Sequence, residues 1–492
     1  MISDELTYRI QAVFGHEPTA EQWQAMRVFA SFLGDRREQA VMVMRGAAGT
    51  GKTTLAAAMV RALTELEQKL VLLAPTGRAS KVFSHYAGHA AFTIHRVIYR
   101  QKTLEGGFSL GFNSSRDTLF IVDEASMIST HGAMDTGGSL LDDLVSFVYN
   151  GRNCRLMLIG DQAQLPPVGE EESPALTAGV LSAYGLQVYE CCLSEVLRQS
   201  QESGILFNAT RIRQAVPGRG LPVAVPKVSF DFPDIKMVPG DELIETLASS
   251  YSRAGLDETI VITRSNKRAN IYNQGIRSQV LGQEEELCAG DRLMVVKNNY
   301  YWAQAAGGAK TPAADSQQLA DGNRLGFIAN GEQVVVRRVR HVHELYGFRF
   351  AEVTMTFPDY DDYELTATVL LDTLRAEAPA LTREQQELLY NKVMEDYQDI
   401  PLKQDRLKKV REDRYYNALQ VKFAYAATCH KAQGGQWAHV YVAQGSMTDD
   451  MLTPDYLRWL YTAFTRATAR LYLVNWPAAY TQQRPAGDSQ AT

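Results

Sequence analysis

No run of apolar residues in this sequence approaches the roughly 18 needed to cross a bilayer, so a helical membrane protein is not expected. Acidic residues stand where a signal peptide carries positive charge. Met1–Ile10 holds Asp4 and Glu5, which argues against secretion. Cysteine is scarce: the five copies stand at 154, 191, 192, 288 and 429, with no CxxC pair and no zinc-spaced histidine cluster. They read as free thiols of a reducing cytoplasm. An excess of basic charge is lacking too. Lys and Arg number 50 against 56 Asp and Glu, a net charge of −6, whereas a dedicated nucleic-acid binder is usually basic. That balance still allows a large enzyme to line one groove with positive charge. No sequence repeat is visible.

What is present is an ordinary globular composition, 45% hydrophobic and 22% charged, over 492 residues, enough for two or more cores. Short apolar runs recur at Ala40–Met44, Leu70–Ala74, Leu119–Val122, Leu156–Ile159 and Thr259–Thr263. Runs of that length bounded by loops suit strands buried on both faces of a parallel sheet. The helical stretch Thr53–Glu67 lies between two of them, as in a layered α/β core. His439–Ala443 and Arg470–Val474 join Thr259–Thr263 in a second α/β core that closes late in the chain. From about Gly290 to Leu371 the pattern alternates instead, as in Glu332–Val339 and Phe348–Thr356, and predicts antiparallel strands of a small β domain. Arg383–Arg414 carries dense mixed charge and predicts an exposed helical insertion. The tail after Trp476 is polar and predicts disorder.

Gly46-Ala47-Ala48-Gly49-Thr50-Gly51-Lys52-Thr53 fits the P-loop pattern between a strand and a helix, with Thr54 next in the helix. Its glycines let backbone N–H groups wrap phosphates at the positive end of the helix. Lys52 then reaches the β- and γ-phosphates of ATP, and the Thr53 hydroxyl ligates Mg²⁺. Asp123 and Glu124 end the strand Leu119–Val122. Such a pair divides the labour, Asp123 holding Mg²⁺ and Glu124 orienting and deprotonating a water. A kinase needs no water-activating base, so the pair points to hydrolysis; alone it could equally cap a helix.

Four more segments narrow the reading: Gly160-Asp161-Gln162-Ala163-Gln164-Leu165-Pro166-Pro167-Val168, Leu197-Arg198-Gln199, Thr428-Cys429-His430-Lys431-Ala432-Gln433-Gly434 and Tyr461-Thr462-Ala463-Phe464-Thr465-Arg466-Ala467. With the P-loop and the acidic pair, their order and identity resemble superfamily 1 helicases. Ala74-Pro75-Thr76-Gly77-Arg78-Ala79 and Thr93-Ile94-His95-Arg96 narrow the resemblance to the RecD-like and Dda-like branch. It runs from about Glu21 to Val474.

That resemblance implies an α/β fold with two RecA-like P-loop cores clamping ATP, an inserted β-hairpin and an inserted SH3-like β domain. The first core then covers 1–188, with the hairpin at 97–116. The second core comes in two parts, 189–289 and 417–476. The β domain takes 290–372, the charged insertion 373–416 and the disordered tail 477–492. Gln22 falls where the family reads adenine, and Gln164 where a glutamine senses the γ-phosphate. Arg198 and Arg466 match arginines that reach across the cleft to the transferring phosphoryl group. Gly434 and Gln436 fall beside the nucleotide. Relatives often carry glutamate at the latter position to bind the ribose, so an uncharged amide leaves nucleotide choice open. Pro75, Thr76, His95, Thr428 and His430 fall in the DNA groove, where hydroxyls, imidazoles and backbone amides suit phosphate and sugar contacts. Gly106-Gly107, between alternating runs, signals a hairpin turn, with Phe108 beside its tip. Relatives use a pin here to split the duplex.

The expected function is an ATP- and Mg²⁺-dependent DNA helicase moving 5′→3′ on single-stranded DNA. It is expected to be a cytoplasmic monomer without membrane contact, meeting single strands, duplex junctions and repair or replication partners. The alternatives are a translocase that displaces proteins without unwinding, and an ATPase subunit of a larger repair complex.

Overall fold

The computed structural model describes residues 2–103, 106–131, 138–196, 202–216, 223–299, 301–302 and 328–482. Six parallel strands form one sheet, in the order Ala91–Thr93, Lys69–Ala74, Thr118–Val122, Arg155–Gly160, Ala40–Gly46 and Gln187–Leu193. The strand Ala40–Gly46 shows why its apolar run is unbroken. Met42 and Met44 pack into one face with Phe29, Leu55 and Met59, while Val41 and Val43 pack into the other with Phe120, Leu144 and Leu158. A strand covered on both faces has no position left for a polar residue.

A second parallel sheet is ordered Ala426–Thr428, Thr259–Thr263, Trp437–Ala443, Ala467–Val474 and Ile235–Val238. Ile260 and Ile262 point into a core with Trp437, Leu457 and Leu460. Val261, on the opposite face, shares its core with Leu293, Val334, Val353 and Val421 of a closed five-stranded barrel. The barrel is therefore welded to the second sheet by common apolar burial.

Several boundaries differ from the sequence reading. The strand Gln187–Leu193 pairs with Ala40–Gly46 in full register, so the first core runs to 193 rather than 188. The barrel strands are Arg292–Val295, Gln333–Leu345, Phe348–Phe357, Tyr363–Leu370 and Leu419–Phe423. The expected bounds, 417–476, place the last in the second core. It closes the barrel because Val421 and Phe423 need a buried face, and both enter the barrel core. Helices Arg383–Glu395 and Lys403–Arg411 occupy the charged insertion. They are not simply exposed: Leu389, Val393 and Val410 bury against Phe348, Phe350 and Leu370 of the barrel. Trp302 packs on the barrel core and donates from Nε1 to the Asn417 carbonyl at 2.9 Å, which makes it a packing residue. Order also extends past 477. Val228 N donates to Tyr480 O at 2.7 Å and Gln482 N to Val228 O at 2.8 Å, while 483–492 lie outside the described residues.

The hairpin is present as the strands Tyr99–Thr103 and Gly106–Leu110. Gly106 pairs with Thr103, so the glycines open the second strand instead of forming the turn, and Phe108 pairs with Gln101 within the ladder instead of standing at the tip. Leu104 and Glu105 lie outside the described residues. The base is anchored: Gly111 N donates to Ile98 O at 2.7 Å, and Tyr99 Oη donates to Asp143 Oδ2 at 2.7 Å.

Candidate nucleotide cleft and nucleic-acid groove

The chemistry-bearing segments follow the carboxyl ends of parallel strands, the edge where open α/β sheets bind ligands. The P-loop follows Ala40–Gly46, Asp123 and Glu124 follow Thr118–Val122, and Asp161–Leu165 follows Arg155–Gly160. At Gly46 any Cβ would lie 2.8 Å from Lys52 Cγ and 3.0 Å from Leu193 Cβ, so only glycine allows this turn. Gly49 and Gly51 hold φ of 77° and 80°, and the helix Lys52–Glu65 starts directly after them. Lys52 Nζ donates to the Ala47 carbonyl at 2.9 Å, folding the ammonium over the loop. Thr53 and Thr54 stand partly exposed in the first helical turn.

Asp123 sits at the strand end, where its Oδ1 accepts from Glu124 N at 2.8 Å. Burial, and then the charge of Glu124, push its carboxyl above the usual range. Glu124 takes φ 53°, a conformation that a non-glycine residue adopts only where its surroundings impose it, and one that clusters at functional sites. Gln164 is buried, and its Oε1 has no hydrogen-bond partner. An orphaned amide oxygen inside a cleft is expensive unless a ligand or water meets it.

The second core reaches into this cleft. Arg466 is 2% exposed, and its Nη1 lies 3.7 Å from Glu124 Oε1. It is held by donation from Nε to Thr462 O at 3.1 Å and from Nη1 to Gly435 O at 3.2 Å. Arg198 falls outside the described residues.

Three predicted nucleotide contacts, Gln22, Gln436 and Gly434, have partners within the protein. Gln22 is 1% exposed: its Oε1 accepts from Thr19 N at 3.0 Å in a capping box, and its Nε2 donates to Thr50 O at 3.0 Å. It braces the P-loop from beneath and presents no open edge to a base. Gln436 lies beside Arg78, which donates to its carbonyl at 2.6 Å, and lines a cavity of about 590 Å³ between the helix Gly77–Ala87, the barrel and the second core. Gly434, with φ 73°, approaches the first core so closely that a Cβ would lie 3.1 Å from both Thr76 Oγ1 and Ala79 Cβ. Both therefore serve the contact between cores in this arrangement, and Gly434 does so next to Gly435, whose carbonyl holds Arg466.

Of the groove residues, Pro75, Thr76 and Thr428 are partly exposed and His430 is exposed. Thr76 Oγ1 accepts from Ala79 N at 3.2 Å as a helix cap, so it positions a helix N-terminus as well as a hydroxyl. The Thr428 hydroxyl makes no such cap. His95 stacks obliquely on Tyr99 at 5.4 Å, and burial pushes its imidazole down to about 4. It is neutral at physiological pH and offers a ring and a hydrogen bond, not a charge. The motif containing Thr428 also holds Lys431, for which no role was drawn from sequence. Its Nζ is buried without a hydrogen-bond partner, and burial lowers its pKa to about 8.

Among the described residues no cluster of three His, Cys, Asp or Glu side chains forms a metal site. One carboxylate, Asp123, and one hydroxyl, Thr53, are an incomplete set that fits Mg²⁺, which commonly takes its other ligands from phosphates and water. No helix among them is long and apolar enough to cross a membrane, and all five cysteines are free.

A family model described as an AAA domain matches residues 17–220, and one described as a UvrD-like helicase C-terminal domain matches 423–474. The ATP-dependent RecD2 DNA helicase of Deinococcus radiodurans is 32% identical over 145 residues, 28% of this chain and 18% of that protein. The ATP-dependent DNA helicase dda of Enterobacteria phage T4 is 26% identical over 273 residues, 52% of this chain and 56% of that protein. The matched stretches thus span about half or less of these curated relatives. A Pif1 helicase from Bacteroides, solved with ADP-AlF3 and single-stranded DNA, aligns with TM-score 0.46 and 15% identity, over 94% of this chain and 93% of that one. By its paired family matches and these relatives, the chain is similar to superfamily 1 helicases of the RecD-like and Dda-like branch.

Proposed function

We propose that this protein is an ATP-dependent DNA helicase that moves 5′→3′ along single-stranded DNA by opening and closing its two cores; the direction follows the family. One observation carries the reading. The P-loop, Glu124 and the orphaned Gln164 oxygen lie on one core, and Arg466 of the other core stands 3.7 Å from Glu124. A cation delivered from across a cleft is in place only when the cleft closes, which ties hydrolysis to movement.

In this scheme the P-loop amides and Lys52 hold the β- and γ-phosphates of ATP. Lys52 gives up its bond to the Ala47 carbonyl to do so. Thr53 and Asp123 hold Mg²⁺, which supplies charge neutralisation at the phosphates. Glu124 accepts the proton of the attacking water, Gln164 fixes that water or a γ-phosphate oxygen, and Arg466 stabilises charge on the transferring group. Pro75, Thr76 and His95 on one core, and Thr428 and His430 on the other, grip backbone and sugar without reading sequence. The free thiols fit a reducing, cytoplasmic setting.

Unwinding of duplexes with a 5′ or a 3′ single-stranded tail, in DNA and RNA versions, tests the reading. Separation of the 5′-tailed DNA alone is expected. Preference for the 3′ tail would overturn the direction, and stripping of bound protein without strand separation would make the chain a translocase only.

The hairpin is assigned to strand separation and not to movement, because the residues of the motor lie outside it. An obstacle at the fork must be rigid at its root, and Tyr99 to Asp143 and Gly111 to Ile98 fix that root. Shortening Leu104–Leu110 to a tight turn is expected to abolish unwinding of a tailed duplex. DNA-stimulated ATPase, and displacement of streptavidin from a biotinylated single strand, should survive. Intact unwinding would remove the pin from this account, and loss of all three activities would place the segment in the motor.

A further inference from the structure

Hydrogen bonds from the second core converge on one short loop of the first, Asp161–Leu165, which carries Gln164. Gln433 Nε2 donates to Leu165 O at 2.7 Å, and the Thr462 hydroxyl accepts from Leu165 N at 2.9 Å. Tyr461, 1% exposed and next to Thr462, does more than hold the loop. Its Oη donates to Asp161 Oδ2 at 2.5 Å and accepts from Ala48 N, inside the P-loop, at 2.9 Å.

The direction of this chain is fixed by chemistry. A backbone N–H can only donate, so Ala48 donates to Tyr461. The Asp161 carboxylate can only accept, so the single phenolic proton points to it. Burial and the nearby Asp161 charge hold the phenol well above its ordinary pKa, so the proton stays on oxygen. Asp161 is itself buried, and its other oxygen accepts from Ala163 N at 3.0 Å. One hydroxyl of the second core thereby sets the orientation of a P-loop peptide and the seat of the Gln164 loop together.

We propose that Tyr461 is a positioning residue that makes the phosphate cradle and Gln164 adopt their working geometry only when the cleft is closed. The proposal rests on the ATPase reading above. Movement of the helix Pro454–Phe464 away from the first core breaks both bonds of the hydroxyl at once. The Ala48 amide is then free to turn, and the Asp161 carboxylate loses its donor. Such a chain acts on turnover in the closed state, not on capture of nucleotide by the open one.

Tyr461→Phe removes the hydroxyl and keeps the ring. The kcat of DNA-stimulated ATP hydrolysis is expected to fall about 10- to 100-fold, the range for losing one hydrogen bond to a charged group. The KM for ATP should stay within about threefold, since a closed-state interaction lowers kcat and kcat/KM together. Asp161→Ala cuts the same chain from the other end by removing the acceptor. In the double variant the second change should cost less than about threefold, because residues sharing one network are non-additive. A structural role would lower the melting temperature without moving kcat. Parental kcat in Tyr461→Phe, a loss seen mainly in KM, or additive losses in the double variant would overturn the proposal. If Tyr461→Phe does not fold, a parental kcat in Asp161→Ala overturns it equally. A parent protein without DNA-stimulated ATPase sinks the functional reading itself, a separate result from a parent that turns over and a variant that matches it.

Discussion

Glu124→Gln is expected to lower the rate of ATP hydrolysis about 10³-fold, within the range for removing a general base. Nucleotide affinity should stay within about threefold, since the P-loop contacts are untouched. The substitution keeps shape, and glutamine faces the same backbone demand at φ 53° as glutamate. What it removes is the proton acceptor, and with it the charge that Arg466 approaches at 3.7 Å. Asp123 cannot take over as base. It stands partly exposed at the strand end, its Oδ1 is taken by the Glu124 amide, and in the proposed scheme it is committed to Mg²⁺. Binding of a fluorescent ATP analogue alongside steady-state phosphate release separates the two effects. Hydrolysis by Glu124→Gln at the parental rate would mean that the base lies elsewhere.

The acidic pair and the P-loop could be read from sequence because each is local. A strand, a tight turn and a helix start lie within a few residues, and the chemistry follows from that context alone. The glycine demand at Gly46, Gly49 and Gly51 is equally local, and the structure shows the crowding and positive φ behind it. The parallel sheets were legible for a related reason: a strand covered on both faces, such as Ala40–Gly46, shows as an unbroken apolar run.

The rest of the structure depends on distant partners or on local signals open to two readings. Thr19 and Gln22 stand at capping-box spacing, a pattern that in itself explains a glutamine there, and the structure uses it so. The Gly106-Gly107 pair reads as a turn, yet glycine also sits in strands, and pairing of Gly106 with Thr103 decides the matter. Leu419–Phe423 is too short to reveal whether it joins the adjacent sheet or closes a barrel whose other strands lie far upstream. The bridge from Ala48 to Tyr461 spans 413 positions, and no spacing in the sequence announces it. In the sequence Tyr461 is only the first residue of a motif whose recognisable chemistry is its arginine.

That arginine carries the last large expected effect. Arg466→Ala should reduce kcat about 10³-fold or more, the size of loss typical for a cation that meets the transferring phosphoryl group. Nucleotide affinity should change far less, because the residue belongs to the core opposite the P-loop. Its own surroundings show why it is poised. Donation to Thr462 O and Gly435 O fixes the guanidinium plane without neutralising it, and the Glu124 carboxylate, 3.7 Å away, lies beyond ordinary hydrogen-bond length. Lysine would supply the charge but not the planar set of donors, so Arg466→Lys is expected to recover only part of the rate. Two buried carbonyls lose a donor in Arg466→Ala, so a modest fall in melting temperature should accompany the kinetic loss. A defect of folding alone would scale down the active fraction and leave the KM and the DNA dependence of the remainder unchanged. Titration of nucleotide-competent sites on the same sample distinguishes the two, because it counts folded molecules independently of turnover. Equal losses in ATP affinity and in kcat/KM would place Arg466 in ground-state binding. Full activity in Arg466→Ala would break the link between cleft closure and hydrolysis on which the motor depends.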